Sequence, residues 1–128
     1  MGGYTFGGTT FDALVFGYYE GDRLMYVARI RNGFTPTLRA DLMKRFEKLR
    51  TNKCPFANLP EPPAGRWGAG LTLAKMNNCQ WLRPELVGQF EFLEWTPENR
   101  LRHARFAGIR RDKDARDVIR EDAASILA

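Results

Sequence analysis

At 128 residues the chain is long enough for one domain with a modest core and too short for several. Twenty lysines and arginines against fifteen acidic side chains leave a net charge of +5, which permits contact with nucleic acid without demanding it. No apolar run reaches the roughly 18 residues of a membrane span, and Met1-Gly2-Gly3 opens no basic and apolar leader, so a cytoplasmic protein without a membrane partner is expected. Cys54 and Cys79 stand far apart in the chain, with no Cys-x-x-Cys pair and no histidine cluster. Free buried thiols in a reducing compartment are therefore expected rather than a disulfide or a metal site.

Residues 9–19 are rich in β-branched and aromatic types, and Glu20-Gly21-Asp22 is a turn signal. The returning strand, Arg23 to Arg31, places Leu24, Tyr26, Ala28 and Ile30 on one face and Arg23, Met25, Val27, Arg29 and Arg31 on the other. Asn32-Gly33 then breaks the strand. Thr35-Pro36 starts a helix, with a capping hydroxyl followed by a proline whose missing N–H costs nothing at the first position. Leu38, Leu42, Phe46 and Leu49 follow at helical spacing, while Arg39, Lys44, Arg45 and Lys48 read as solvated charges around the rest of the helix.

From about residue 51 to 80 the pattern dissolves into a long Pro- and Gly-rich connection. Arg66 and Trp67 within it could touch nucleic acid, although a tryptophan in such a loop more often folds back as a staple; Thr72 to Asn78 can add one helical turn. Strands resume from about Trp81 to Thr96. There the alternation of Trp81, Phe90, Phe92 and Trp95 with Gln89, Glu91 and Glu94 reads as core rather than as a platform for stacking bases. Pro97-Glu98-Asn99 turns the chain into an arginine-rich strand, and Asp114 can cap a helix over about 115–124. The composite expectation is one mostly β domain over residues 1–128, with an internal and a C-terminal helix.

The arginine-rich segment, Leu101 to Lys113, carries Arg102, Arg105, Arg110, Arg111 and Lys113 with a single carboxylate, Asp112, near its end. Arginine forks and a lysine point charge suit phosphate oxygens, which makes this the place to expect a polyanion. An Arg-x-Asp-Lys is also compatible with an ion-paired surface turn. His103, the only histidine, has no evident partner for acid–base work and reads as a hydrogen-bonded strand residue.

Leu101-Arg102-His103-Ala104-Arg105-Phe106 followed by Gly108-Ile109-Arg110-Arg111-Asp112-Lys113 resembles motif VI of ATP-dependent DNA ligases, most of all the bacterial ligase D type. Ala104 stands where proline is usual. Trp81-Leu82-Arg83-Pro84-Glu85-Leu86-Val87 with Phe90-Glu91-Phe92-Leu93-Glu94-Trp95-Thr96, and Gly2-Gly3-Tyr4 with Phe11-Asp12-Ala13-Leu14, Gly17-Tyr18-Tyr19 and Gly33-Phe34, extend the resemblance in order along the chain. The resemblance implies an oligonucleotide-binding (OB) fold, a small antiparallel barrel that commonly binds nucleic acid across one face. It also implies a bacterial, nucleoid-associated role in DNA repair by non-homologous end joining.

Ligation itself needs a lysine nucleophile, which in ligases lies in Lys-x-Asp-Gly; none of Lys44, Lys48, Lys53, Lys75 and Lys113 has that context. The chain should therefore not ligate alone. The resemblance implies that Arg110, Asp112 and Lys113 orient the β,γ-phosphates of ATP for a nucleotidyltransferase domain in cis or in trans, a matter of positioning and charge stabilisation. It further implies a clamp on nicked duplex DNA, for which Arg29, ahead of Arg31, and Arg102 and Arg105 are the candidate contacts. ATP and Mg²⁺ would belong to the complete ligase, with no cofactor bound by this domain alone. The rival reading is a free-standing OB module for single-stranded nucleic acid.

Overall fold

The computed structural model describes residues 1–60 and 71–120, together with the backbone of Ser125–Leu127. Arg66 and Trp67, and residues 121–124 of the expected C-terminal helix, lie outside the described residues. The chain opens with β1 (Gly3–Phe6), β2 (Phe11–Glu20) and β3 (Arg23–Ile30). β2 and β3 form the expected antiparallel hairpin, with Glu20 opposite Arg23 and Gly21 at φ 64° in the turn. A register shift at Phe16/Gly17 lets Val27 bury alongside Tyr26 and Ala28, so the predicted two-face alternation of β3 holds only in part.

The helix α1 (Pro36–Phe46) begins where the sequence places it. Thr35 Oγ1 accepts a hydrogen bond from the Leu38 backbone N–H at 3.1 Å, Leu42 and Phe46 are buried, and the Phe46 ring packs against Tyr4 and Phe11. Thr35→Ala is expected to cost about 1 kcal/mol, read as a shift in the urea midpoint at unchanged slope. Arg39 departs from its expected solvated role. Its Nη1 donates to the carbonyls of Phe11 (2.6 Å) and Asp12 (3.0 Å), its Nη2 to that of Arg31 (3.1 Å), and its guanidinium lies over the Phe11 and Phe34 rings. This one side chain therefore ties the helix to the ends of β2 and β3.

A 3₁₀ turn at Glu47–Leu49 leads to β4 (Arg50–Thr51). After the connection come the one-turn helix α2 (Leu73–Met76), capped by Thr72, then β5 (Cys79–Leu82) and β6 (Val87–Glu91). The arginine-rich segment is not the single strand expected. It divides into β8 (Leu101–Arg102), paired with β7 (Glu94–Trp95), and β9 (Arg105–Arg110), paired with β6. The break falls at His103, whose φ of 56° turns the chain out of the extended region. Downstream of Asp114 a single 3₁₀ turn, Ala115–Asp117, replaces the expected helix over its described part, and β10 (Ser125–Leu127) pairs with β6. Val118 anchors this tail: its side chain is fully buried and its carbonyl accepts from Tyr19 N–H at 2.8 Å, contacts that an extended segment makes.

The fold is mostly β and antiparallel, but the described sheets do not close into a barrel. They run β3-β2-β1-β5-β4, β10-β6-β9 and β7-β8. Between β5 and β6 the chain passes through Pro84, which has no N–H for a ladder. Between β3 and β9 one backbone bond, Phe106 N–H to Asn32 O at 3.0 Å, stands where a barrel would have a seam. Packing closes the structure instead. Phe16 of β2 stacks on Phe90 of β6 with centroids 3.9 Å apart, Phe90 meets Phe106 of β9 edge-on, and Phe106 stacks on Phe34. Each such ring pair adds about 0.5–1.5 kcal/mol beyond its burial.

Candidate phosphate and nucleic-acid interface

Arg110, the last residue of β9, sits opposite Val87 of β6, so its backbone is fixed by the sheet just before the chain turns away. Two residues on, Asp112 accepts both teeth of the fork, Arg110 Nε to Oδ1 at 2.8 Å and Nη2 to Oδ2 at 2.7 Å. This uses two of the five guanidinium N–H groups and sets the plane of the rest. Arg110, by hydrogen bonding, and Lys113, by charge, hold the Asp112 carboxyl down at about 2, so the pair is complete above that pH and is lost only as pH falls through it. Arg110, Asp112 and Lys113 are thus brought together at one turn. Among the described residues no grouping of three or more His, Cys, Asp or Glu side chains could hold a metal ion.

The other candidates divide. Arg102 pairs with Glu94 at 3.0 Å and Arg105 with Glu91 at 3.4 Å, each across a strand pair and exposed. Their charges are therefore balanced on the sheet surface, which the sequence alone did not reveal. Arg29 and Arg31 project from the end of β3 between two hollows. One, about 220 Å³, is lined by Thr5, Asp12, Lys75 and Asn78 besides the two arginines; the other, about 350 Å³, is closed by Leu101, His103 and Ala104. Arg31 is held by Asp12 through a fork at 3.0–3.1 Å. Lys75 joins this basic patch because α2 folds back against β1, where Phe6 N–H donates to Asn78 O; nothing in the sequence spacing signals that. His103 is exposed at a turn, not hydrogen-bonded within a strand as expected.

The aromatic side chains weighed as a stacking platform are committed elsewhere. Phe90 is fully buried and Trp81 nearly so, and Phe92 packs edge-on against Trp95, which also meets Tyr18. Cys54 and Cys79 are free and half-buried, and burial pushes both thiols up, Cys79 to about 11. That places them with structural rather than reactive cysteines. No helix among the described residues is long and apolar enough to cross a membrane.

Residues 7–113 match the family model described as ATP dependent DNA ligase C terminal region. The chain belongs to that family. Among similar proteins, this ligase C-terminal domain is 32% identical over 112 residues to the multifunctional non-homologous end joining protein LigD of Pseudomonas aeruginosa, covering 85% of this chain. It is 33% identical over 98 residues, 77% of the chain, to the multifunctional non-homologous end joining DNA repair protein LigD of Mycobacterium tuberculosis. The chain spans 12% of the length of each of these relatives. The crystal structure of the ligase domain from M. tuberculosis LigD superposes with a TM-score of 0.79 at 28% identity, over 94% of this chain and 37% of that one. Mycobacterial DNA ligase D complexed with ATP and MES superposes with a TM-score of 0.76 at 29% identity, over 94% and 36%. The matched region spans all seven residues singled out for phosphate or DNA.

Proposed function

We propose that this domain serves an end-joining DNA ligase in two ways, orienting the β,γ-phosphates of ATP during lysine adenylylation and gripping duplex DNA around a nick. The observation that carries the reading is the turn after β9, where Asp112 fixes the plane of the Arg110 fork and Lys113 adds a point charge beside it. A planar fork and an ammonium suit two neighbouring phosphate groups. Their contribution is positioning and charge stabilisation as pyrophosphate leaves. The nucleophilic lysine, and the groups that hold Mg²⁺ and adenine, belong to a nucleotidyltransferase domain in cis or in trans.

For the DNA grip, Arg29 and Arg31 are the leading contacts, with Lys75 beside them. Arg31, Arg102 and Arg105 are each paired, with Asp12, Glu94 and Glu91, so a phosphate would compete with a carboxylate at all three; Arg31 ranks above the other two because it shares a hollow with Arg29 and Lys75. Fluorescence anisotropy with nicked duplex, intact duplex and single strand, across a salt series, tests this. Duplex should bind more tightly than single strand. Arg29→Gln and Arg31→Gln should each lower the slope of log K against log salt by about 1, with stability little changed for Arg31→Gln, whose side chain is 58% exposed. A preference for single strands would favour the rival single-strand module, against which the burial of Trp81 and Phe90 already weighs.

A further inference from the structure

We infer that His103 is a further DNA-contacting residue, donating to a phosphodiester oxygen in the hollow that it closes opposite Arg29 and Arg31. The inference rests on the DNA grip proposed above and adds to it a residue from the motif VI segment. The hollow, about 350 Å³, has two walls from distant parts of the chain. Ala28 to Asn32 form one, and Leu101, His103 and Ala104 form the other. The Phe106 N–H to Asn32 O bond pins the walls together.

Two features of His103 point to its side chain rather than its backbone as the reason for its presence. Its φ of 56° lies in the left-handed region, where a glycine would sit without strain and an imidazole carries a Cβ penalty. It is also exposed, and among the described residues its ring makes no hydrogen bond, ion pair or ring contact. Burial and capping therefore do not explain it. The charged groups facing the hollow are Arg29 and Arg31, with Asp12 bonded to Arg31 from behind and Arg102 adjacent in the chain and paired to Glu94. Two guanidinium ions attract a phosphate into this space. A ring N–H of His103 can donate to a phosphate oxygen from the wall opposite the two arginines and so complete the phosphate's shell.

The test uses His103→Asn and His103→Gly in the 128-residue chain, with anisotropy against nicked duplex and a thermal melt. Asparagine tolerates the left-handed backbone and glycine relieves it. The glycine variant is expected to bind about three- to tenfold more weakly and the asparagine variant less so, because its amide can still donate, while the melting temperature of the glycine variant stays level or rises. That combination, weaker binding in a fold at least as stable, is one that a structural histidine would not give. If both variants bind as wild type while Arg29→Gln and Arg31→Gln still weaken binding, the inference on His103 is overturned and the grip survives. If wild type does not bind duplex, or the arginine variants bind as it does, the grip fails and the inference with it. A lower melting temperature in both variants, with binding lost in proportion, assigns His103 a structural role and also overturns the inference.

Discussion

Arg110→Ala is expected to reduce adenylylation of a nucleotidyltransferase domain, supplied with this domain in trans, by at least about a hundredfold, while the melting temperature barely moves. The size follows from where the charge acts. Pyrophosphate leaves with its negative charge accumulating on the β,γ-phosphates, and a preorganised fork stabilises that charge without reorganising at the moment of reaction. The small effect on stability follows from the pair itself, a surface contact worth little, with Asp112 67% exposed and Arg110 half-buried. Asp112→Asn keeps one acceptor for the fork and loses the charge that fixes it, so a smaller loss, about tenfold, separates orientation from charge. Because the Asp112 carboxyl is held at about 2, a change in rate between pH 5 and 8 cannot come from its titration. Joining a nick that already carries AMP bypasses the step and should be nearly normal in Arg110→Ala, since no β,γ-phosphates remain to be held. Wild-type adenylylation by Arg110→Ala would remove the phosphate role from this turn.

The contrast between Arg110 and the other arginines shows what a sequence can and cannot carry. Local signals were legible. Thr35-Pro36 started the helix, Glu20-Gly21-Asp22 made the hairpin, and Asn32-Gly33 ended the strand, because each depends on one residue's own dihedral or capping preference. Arg110 and Asp112 were legible together for the same reason, since two residues at the end of a strand find each other without help from the fold. Charge partners across strands were not. Arg102 and Arg105 read as free cations until the register of β6 with β9 and β7 with β8 set Glu91 and Glu94 opposite them. Arg39 read as solvated until α1 was laid across β2 and β3, where three carbonyls at the strand ends needed a donor. The break at His103 had no signal either, because histidine carries no turn preference strong enough to read within a run that alternates like a strand. A closed barrel is what the ligase resemblance implies, and a C-terminal helix is what the Asp114 cap signal predicts. Aromatic stacking closes the described structure instead, and its tail is tied by the Val118 side chain and carbonyl, neither of which periodicity encodes.

Gly33→Ala is expected to destabilise the domain by more than about 3 kcal/mol and to weaken DNA binding at temperatures where part of the wild-type fold is still intact. Gly33 has φ 95°, a conformation strained for any residue with a Cβ. A Cβ there would also stand 2.3 Å from the Phe106 carbonyl oxygen and 2.7 Å from the Phe106 nitrogen. That nitrogen is the donor to Asn32 O, so the substitution opens the contact that joins the end of β3 to β9. Phe34 and Phe106, stacked at 5.1 Å just beside it, would be pushed apart, and with them the aromatic column through Phe90 to Phe16. Gly21→Ala supplies the comparison. Its φ is 64°, yet nothing lies within 4 Å of the added Cβ, so it should cost only the conformational term, about 1 kcal/mol. Urea denaturation of the two variants separates the backbone penalty from the clash. Equal destabilisation would mean that the β3–β9 junction yields freely and that the hollow between Arg29 and His103 is not held at a fixed width. A gap of about 2 kcal/mol or more would mean that one close backbone approach keeps Arg29 and Arg31 in register with the strand that ends at Arg110.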